Sequence, residues 1–167
     1  MATRSFFVVK VKRLEKITQM KKNDYADKAK QQRDQLTEQI IGCCFKVHNA
    51  LGAGFPERVY QNALVMSLRE SGLCVERERG FSVRFEHVDV GAFRVDLLVE
   101  DRVILEIKAV LGRMPAVFAS QLLAYLKAAQ KPVGLLVNFG NPSCDIKRMA
   151  LSAKSAVPIC EIDTGVS

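Results

Sequence analysis

The chain has 167 residues, 49% hydrophobic and 26% charged, with a formal net charge of +7. That length suits one domain around a single core, and no apolar run is long enough to cross a bilayer. Five cysteines without any C-x-x-C spacing argue against a disulfide framework and a zinc site, so reduced, mostly buried thiols in an intracellular protein are expected.

The basic excess is confined to one end. Residues 1–33 hold ten Lys/Arg and three Asp/Glu, whereas residues 34–167 hold fifteen of each. The segment 1–33 reads as a basic, flexible N-terminal extension, either a phosphate-binding tether or a solvated leader without a partner. Thr3, Arg4 and Ser5 leave organelle targeting open, but Asp24 and Asp27 count against it.

In chain order, Asp34 is a candidate helix N-cap, and Leu36, Ile40, Ile41, Cys44, Val47 and Leu51 recur at helical spacing. Gly52-Ala53-Gly54 ends that helix, and Pro56 opens a second, which stops near Ser71-Gly72. Extended segments follow at about 73–79, 81–88, 93–99 and 103–110, with a turn at Asp89-Val90-Gly91. Pro115 opens a third helix to about Gln130, and Val133–Phe139 reads as a buried strand. Residues 145–153 read as a short helix and 157–162 as an edge strand. Close connections make the strands around 81–110 an antiparallel meander, and the third helix allows a crossover to a parallel strand. The class is α/β with a mixed central sheet flanked by helices.

The chemistry lies on the second hairpin of the meander. Alternation puts Asp96 on one face of its strand, and Glu106 and Lys108 together on one face of theirs. If the apolar residues Val95, Leu97, Val99, Val103, Leu105 and Ile107 face one core, the three charged residues project from the other side. Asp96 can then face Glu106 only if Val99 opposes Val103, with Glu100-Asp101-Arg102 as the loop. Two neighbouring carboxylates on an apolar sheet repel and are costly to desolvate; a hard divalent cation relieves both problems. Mg²⁺ (or Mn²⁺) would take Asp96, Glu106 and the carbonyl of Ile107, with Lys108 beside it stabilising charge on a phosphate. An Asp/Glu–Lys ion-pair cluster without catalytic purpose is the alternative at this point.

The wider pattern resembles the PD-(D/E)xK nuclease superfamily, and within it the small GxxExxY family. The resemblance rests on Gly54-Phe55-Pro56-Glu57-Arg58-Val59-Tyr60, Asp96-Leu97-Leu98-Val99, Glu106-Ile107-Lys108-Ala109, Gln121-Leu122-Leu123-Ala124-Tyr125 and Val137-Asn138-Phe139-Gly140. It implies a restriction-endonuclease-like αβββαβ core within a nuclease-like domain over 34–167. It also implies a Mg²⁺-dependent phosphodiester hydrolase acting on DNA or RNA, DNA being favoured, through a metal-activated water. By the same resemblance Glu57 joins Asp96, Glu106 and Ile107 at the metal, Lys108 is the catalytic lysine, and Gln121 and Tyr125 contact substrate or support the site. His48 matches a family position too, but the commoner role for such a histidine is support of a neighbouring loop. The rival reading is a catalytically inactive nucleic-acid-binding or adaptor module on the same fold. No membrane partner is expected, and the oligomeric state, a homodimer included, is left open.

Overall fold

A computed structural model describes residues 35–151. The basic segment 1–33, the Asp34 cap and the strand expected at 157–162 lie outside the described residues. The chain divides into two compact units, Met1–Gln39 and Ile40–Ser167, and the first is described only over its helical residues 35–39.

Helix α1 runs through the described residues 35–51. Within the second unit its buried line is Ile40, Cys43, Cys44, Val47 and His48, one face at helical spacing. It stops where Gly52 takes a left-handed φ of 69° and donates its N–H to the His48 carbonyl at 2.7 Å. Helix α2, Glu57–Glu70, begins directly after Pro56 and buries Tyr60, Leu64 and Leu68 along one line. Its C-terminus closes on Gly72 at φ 79°, with Leu73 N–H bonded to the Leu68 carbonyl.

Strands β1 (Val75–Phe85), β2 (Val88–Val99), β3 (Val103–Lys108), β4 (Val133–Asn138) and β5 (Asp145–Ala150) form one sheet in the order β1-β2-β3-β4-β5. The β1–β2, β2–β3 and β4–β5 pairs are antiparallel, and β3–β4 is parallel. Helix α3, Ala116–Ala128, makes the crossover between β3 and β4. The meander and the parallel return are as the sequence predicts. So is the register at the second hairpin: Val99 opposes Val103, and Leu97 opposes Leu105.

Three expectations are corrected. The segments at 73–79 and 81–88 are one strand, and the chain reverses at Glu86-His87, both with positive φ, rather than at Asp89-Val90-Gly91. The latter three lie inside β2, where Asp89 Oδ1 accepts the Gly91 N–H and a register irregularity falls opposite, between Val83 and Arg84. Residues 145–150 are a strand, not a helix: the free edge of β4 offers a row of backbone groups, and pairing with it outweighs the helix propensity of Lys147, Arg148, Met149 and Ala150. Finally, Val95 joins the core under α3 rather than sharing a face with Leu97 and Val99. Leu98 and Ile104 pack with Leu122, Leu126 and Leu136 in the same core, and alternation puts Glu106 and Lys108 on the same side as Ile104.

The free cysteines among the described residues are Cys43, Cys44, Cys74 and Cys144. Burial raises the Cys144 thiol to about 11 and pushes Cys44 higher still, so neither is ionised near neutrality.

Candidate metal centre

Four charged residues from three elements meet at the end of β3. Lys108 Nζ lies 3.6 Å from Glu106 Oε2, 3.9 Å from Asp96 Oδ2 and 4.0 Å from Glu57 Oε1. These are ion-pair distances, too long for hydrogen bonds.

Each side chain is placed by a local device. The β2–β3 ladder is regular from Val99 to Leu97, and beyond it the Asp96 carboxylate takes over the strand's hydrogen bond, Oδ2 accepting the Ile107 N–H at 2.7 Å. Asp96 is thus pinned to the backbone between Glu106 and Lys108. Glu57 is the first residue of α2, where the helix dipole favours an acid. The loop before it is clamped by Tyr60, which is fully buried. Tyr60 donates its hydroxyl to the Gly52 carbonyl at 2.7 Å, accepts the Phe55 N–H at 3.1 Å and stacks on Phe139 at 4.7 Å. The Gly-x-x-Glu-x-x-Tyr spacing therefore has a physical content. Gly54 takes the left-handed φ of 112° that the turn needs, Glu57 carries the charge, and Tyr60 holds the turn that delivers it.

Lys108 leaves β3 beside Asn138 of β4. Asn138 is fully buried and bridges the two strand ends. Its Oδ1 accepts the Val110 and Gly140 N–H groups, and its Nδ2 donates to the Val110 carbonyl, at 2.9 to 3.1 Å. The Phe139 N–H donates to the Lys108 carbonyl at 2.8 Å. The ring of Phe118, on α3, lies 5.4 Å from Lys108 Nζ and gives the ammonium a cation–π neighbour. The sequence places Asn138 within the expected strand Val133–Phe139 without marking it as a bridge, and it does not single out Phe118. An Asn directly ending a fully apolar run was the one available signal for the first; the second had none.

The electrostatics of the cluster are unbalanced, with three carboxylates facing one ammonium. Glu106 is 5% exposed and its Oε1 is buried without a hydrogen-bond partner. Burial, reinforced by Asp96, pushes its carboxyl up to about 7 despite Lys108. Burial also raises Glu57; Asp96 adds to the rise and Lys108 opposes it. Among the described residues no three His, Cys, Asp or Glu groups are gathered closely enough to be a preformed metal cage. The donor set nonetheless fits a hard divalent cation. It is all oxygen, it carries excess negative charge, and it includes a buried carboxylate oxygen lacking a partner.

Two other predicted residues, Gln121 and Tyr125, lie on α3 about one and two turns beyond Phe118. Gln121 Nε2 donates to Tyr125 Oη at 2.6 Å, and Tyr125 stacks on Phe93 at 4.3 Å. Among the described residues, the bonds of this pair run to each other and not to the carboxylates. His48 stands apart: its Nε2 lies 2.9 Å from the Asn141 carbonyl, and its ring stacks on Phe139. A carbonyl can only accept, so Nε2 carries the proton. Asn141 in turn bonds both backbone groups of Gly112, so His48 steadies the loop after β3.

A model of the PD-(D/E)XK nuclease superfamily matches residues 34–149. The chain belongs to that superfamily. The mixed sheet flanked by helices is its restriction-endonuclease-like fold, and Asp96 and Glu106-Ile107-Lys108 fall within the matched span. The crystal structure of SSO0001 is similar at 19% identity and a TM-score of 0.43, over 61% of this chain and 54% of that one. The match thus spans about half the length of that relative. No curated protein matches the chain significantly. No helix among the described residues is long and apolar enough to cross a membrane.

Proposed function

We propose that this superfamily member is a divalent-cation-dependent nuclease of the GxxExxY type, hydrolysing phosphodiester bonds in DNA or RNA. The observation that carries the reading is the meeting of Glu57, Asp96 and Glu106 around Lys108, with one buried Glu106 oxygen lacking a partner.

Asp96 and Glu106 would hold Mg²⁺ or Mn²⁺, with Glu57 and the Ile107 carbonyl completing the oxygen set. When bound, the cation supplies Lewis acidity toward a phosphoryl oxygen and lowers the pKa of water. The protein's own groups do the rest. Lys108 is the lone cation among three acids, and its ammonium is placed to pair with a phosphate oxygen or with charge developing on it. Phe118 shields one side of that ammonium from water and strengthens its field. The Asn138 bridge and the Asp96–Ile107 bond keep the strand end rigid, so little reorganisation is needed as charge develops. Burial and Asp96 raise the Glu106 carboxyl to about 7, and a bound cation would favour the ionised form that can ligate it. Gln121 and Tyr125 position substrate from α3, and residues 1–33 add a phosphate tether.

The test is a cleavage panel of single- and double-stranded DNA and RNA, with Mg²⁺, Mn²⁺ or EDTA. Asp96→Ala and Lys108→Ala should both fall to background. Cleavage by Asp96→Ala at the wild-type rate would refute the mechanism. Nucleic-acid binding with no metal-dependent cleavage of any substrate would favour the inactive adaptor instead.

A further inference from the structure

Helix α3 ties the carboxylate cluster to a second feature. Phe118 stands beside Lys108, and Tyr125 follows about 10 Å further along the axis at 1.5 Å rise per residue. Between the flank of α3 and the β1–β2 hairpin lies an open groove of ≈ 650 Å³, lined by Val83, Phe93, Leu123, Ala124, Tyr125 and Lys127. Its walls are almost entirely apolar, and its aromatic side is preassembled. Phe81 stacks on Phe93 at 5.5 Å, Phe93 stacks on Tyr125 at 4.3 Å with planes 11° apart, and Gln121 fixes the Tyr125 hydroxyl.

We propose that this groove is a nucleobase subsite, which takes an unpaired base of the strand whose phosphate lies at Lys108. The assignment rests on the nuclease reading and adds the form of its substrate. The aromatic column is already ordered; Phe93 is stacked on Phe81 and on Tyr125, so the outer face of Tyr125 is the one left to take the π-face of a base, at little ordering cost. Lys127, on the rim, supplies a cation for a phosphate. The separation along α3 is short enough for one strand to occupy both places. A base inside a duplex is already stacked on both faces and cannot enter, so the ligand is single-stranded or locally unpaired. The volume lies within the range of sites that enclose small organic groups.

The groove is separable from the catalytic machinery because Ala124 is exposed on its wall and belongs to no charged cluster. Ala124→Gln fills the groove with a neutral polar side chain and keeps helix propensity high. Binding of the full-length protein is measured by fluorescence anisotropy in EDTA, with three probes: a short labelled oligothymidylate, the same strand built of abasic residues, and a blunt duplex. Relative to wild type on oligothymidylate, the abasic strand, the duplex and the Ala124→Gln variant should each bind about 5- to 150-fold more weakly, the range for loss of one stacked base. A thermal melt checks that Ala124→Gln is folded; if it is not, the abasic strand on wild-type protein decides alone. Equal affinity for the normal and abasic strands, or for strand and duplex, overturns the subsite. Failure to bind any of the three also overturns it and points to a protein ligand. The same strands are then incubated with Mg²⁺. Base-dependent binding without cleavage overturns the nuclease reading and upholds the subsite, whereas cleavage indifferent to the base and to Ala124→Gln does the reverse.

Discussion

Glu106→Gln isolates the electrostatic tension of the cluster. In the unfolded chain Glu106 titrates at its ordinary value of 4.5, and in the fold it titrates at about 7. Between those values the folded protein keeps a proton that the unfolded chain releases. Stability is therefore full below pH 4.5 and is lost as pH rises through about 7. At 1.36 kcal/mol per pH unit the loss approaches about 3 kcal/mol at pH 8. Glutamine is uncharged at every pH and escapes it. It fits the same space beside Asp96, and Lys108 keeps Asp96 and Glu57 as partners. Urea unfolding in EDTA at pH 4.5 and pH 8 reads the difference. The two proteins should share a midpoint at pH 4.5, and Glu106→Gln should unfold about 1–3 M later at pH 8, for an m-value of about 1–3 kcal/mol/M. Coincident midpoints at both pH values would show that Glu106 is not held under strain, and the argument for a cation at this position would lose its physical basis.

Other outcomes follow from the same geometry. Mg²⁺ at pH 8 should stabilise the wild type, by about 2.7 kcal/mol at a hundredfold excess over its dissociation constant; EDTA should reverse the gain and Asp96→Ala should abolish it. A thermal midpoint indifferent to Mg²⁺ would remove the metal from the reading. Asn138→Ala leaves three half-buried backbone groups without this partner and should cost about 2–4 kcal/mol in urea unfolding; a loss below about 1 kcal/mol would mean that the strand ends hold themselves. Gly140→Ala drives a methyl into the Val110 backbone, which cannot yield, whereas Gly134→Ala meets only the flexible Leu122 side chain. The first should be the more destabilising, by about 2 kcal/mol or more, and equal losses would contradict the close approach.

Much of this was legible in the sequence. The glycines and prolines around the helices mark their ends, and period-two alternation with one loop length fixes the register of Val99 on Val103. That register brings Asp96 and Glu106 to one place without any knowledge of relatives. Glu57 is different, because nothing local ties a helix start to strands some forty residues later, and only family resemblance placed it there. Strand β5 was illegible because its composition favours helix and its conformation is set by the exposed edge of β4. The hairpin at Glu86-His87 was illegible because Glu86 is not a usual choice for positive φ and no glycine marks the turn, while Asp89-Val90-Gly91 imitates one. The Asn138 bridge depends on a contact across 28 residues, which no periodicity encodes.

The parallel pairing of β3 with β4 joins residues 30 apart in the chain, Val103 with Val133 and Lys108 with Asn138. The hairpins β1–β2 and β2–β3 are local and close at small entropic cost; the β3–β4 ladder requires the whole α3 crossover to be in place. Asp96 and Glu106 can therefore be gathered early, on a local meander, while the strand end that aims Lys108 is finished only when β4 docks and Asn138 and Phe139 bind it. During synthesis the carboxylates emerge well ahead of the residues that complete their surroundings. A nascent chain carries the charges of the centre before it carries the centre.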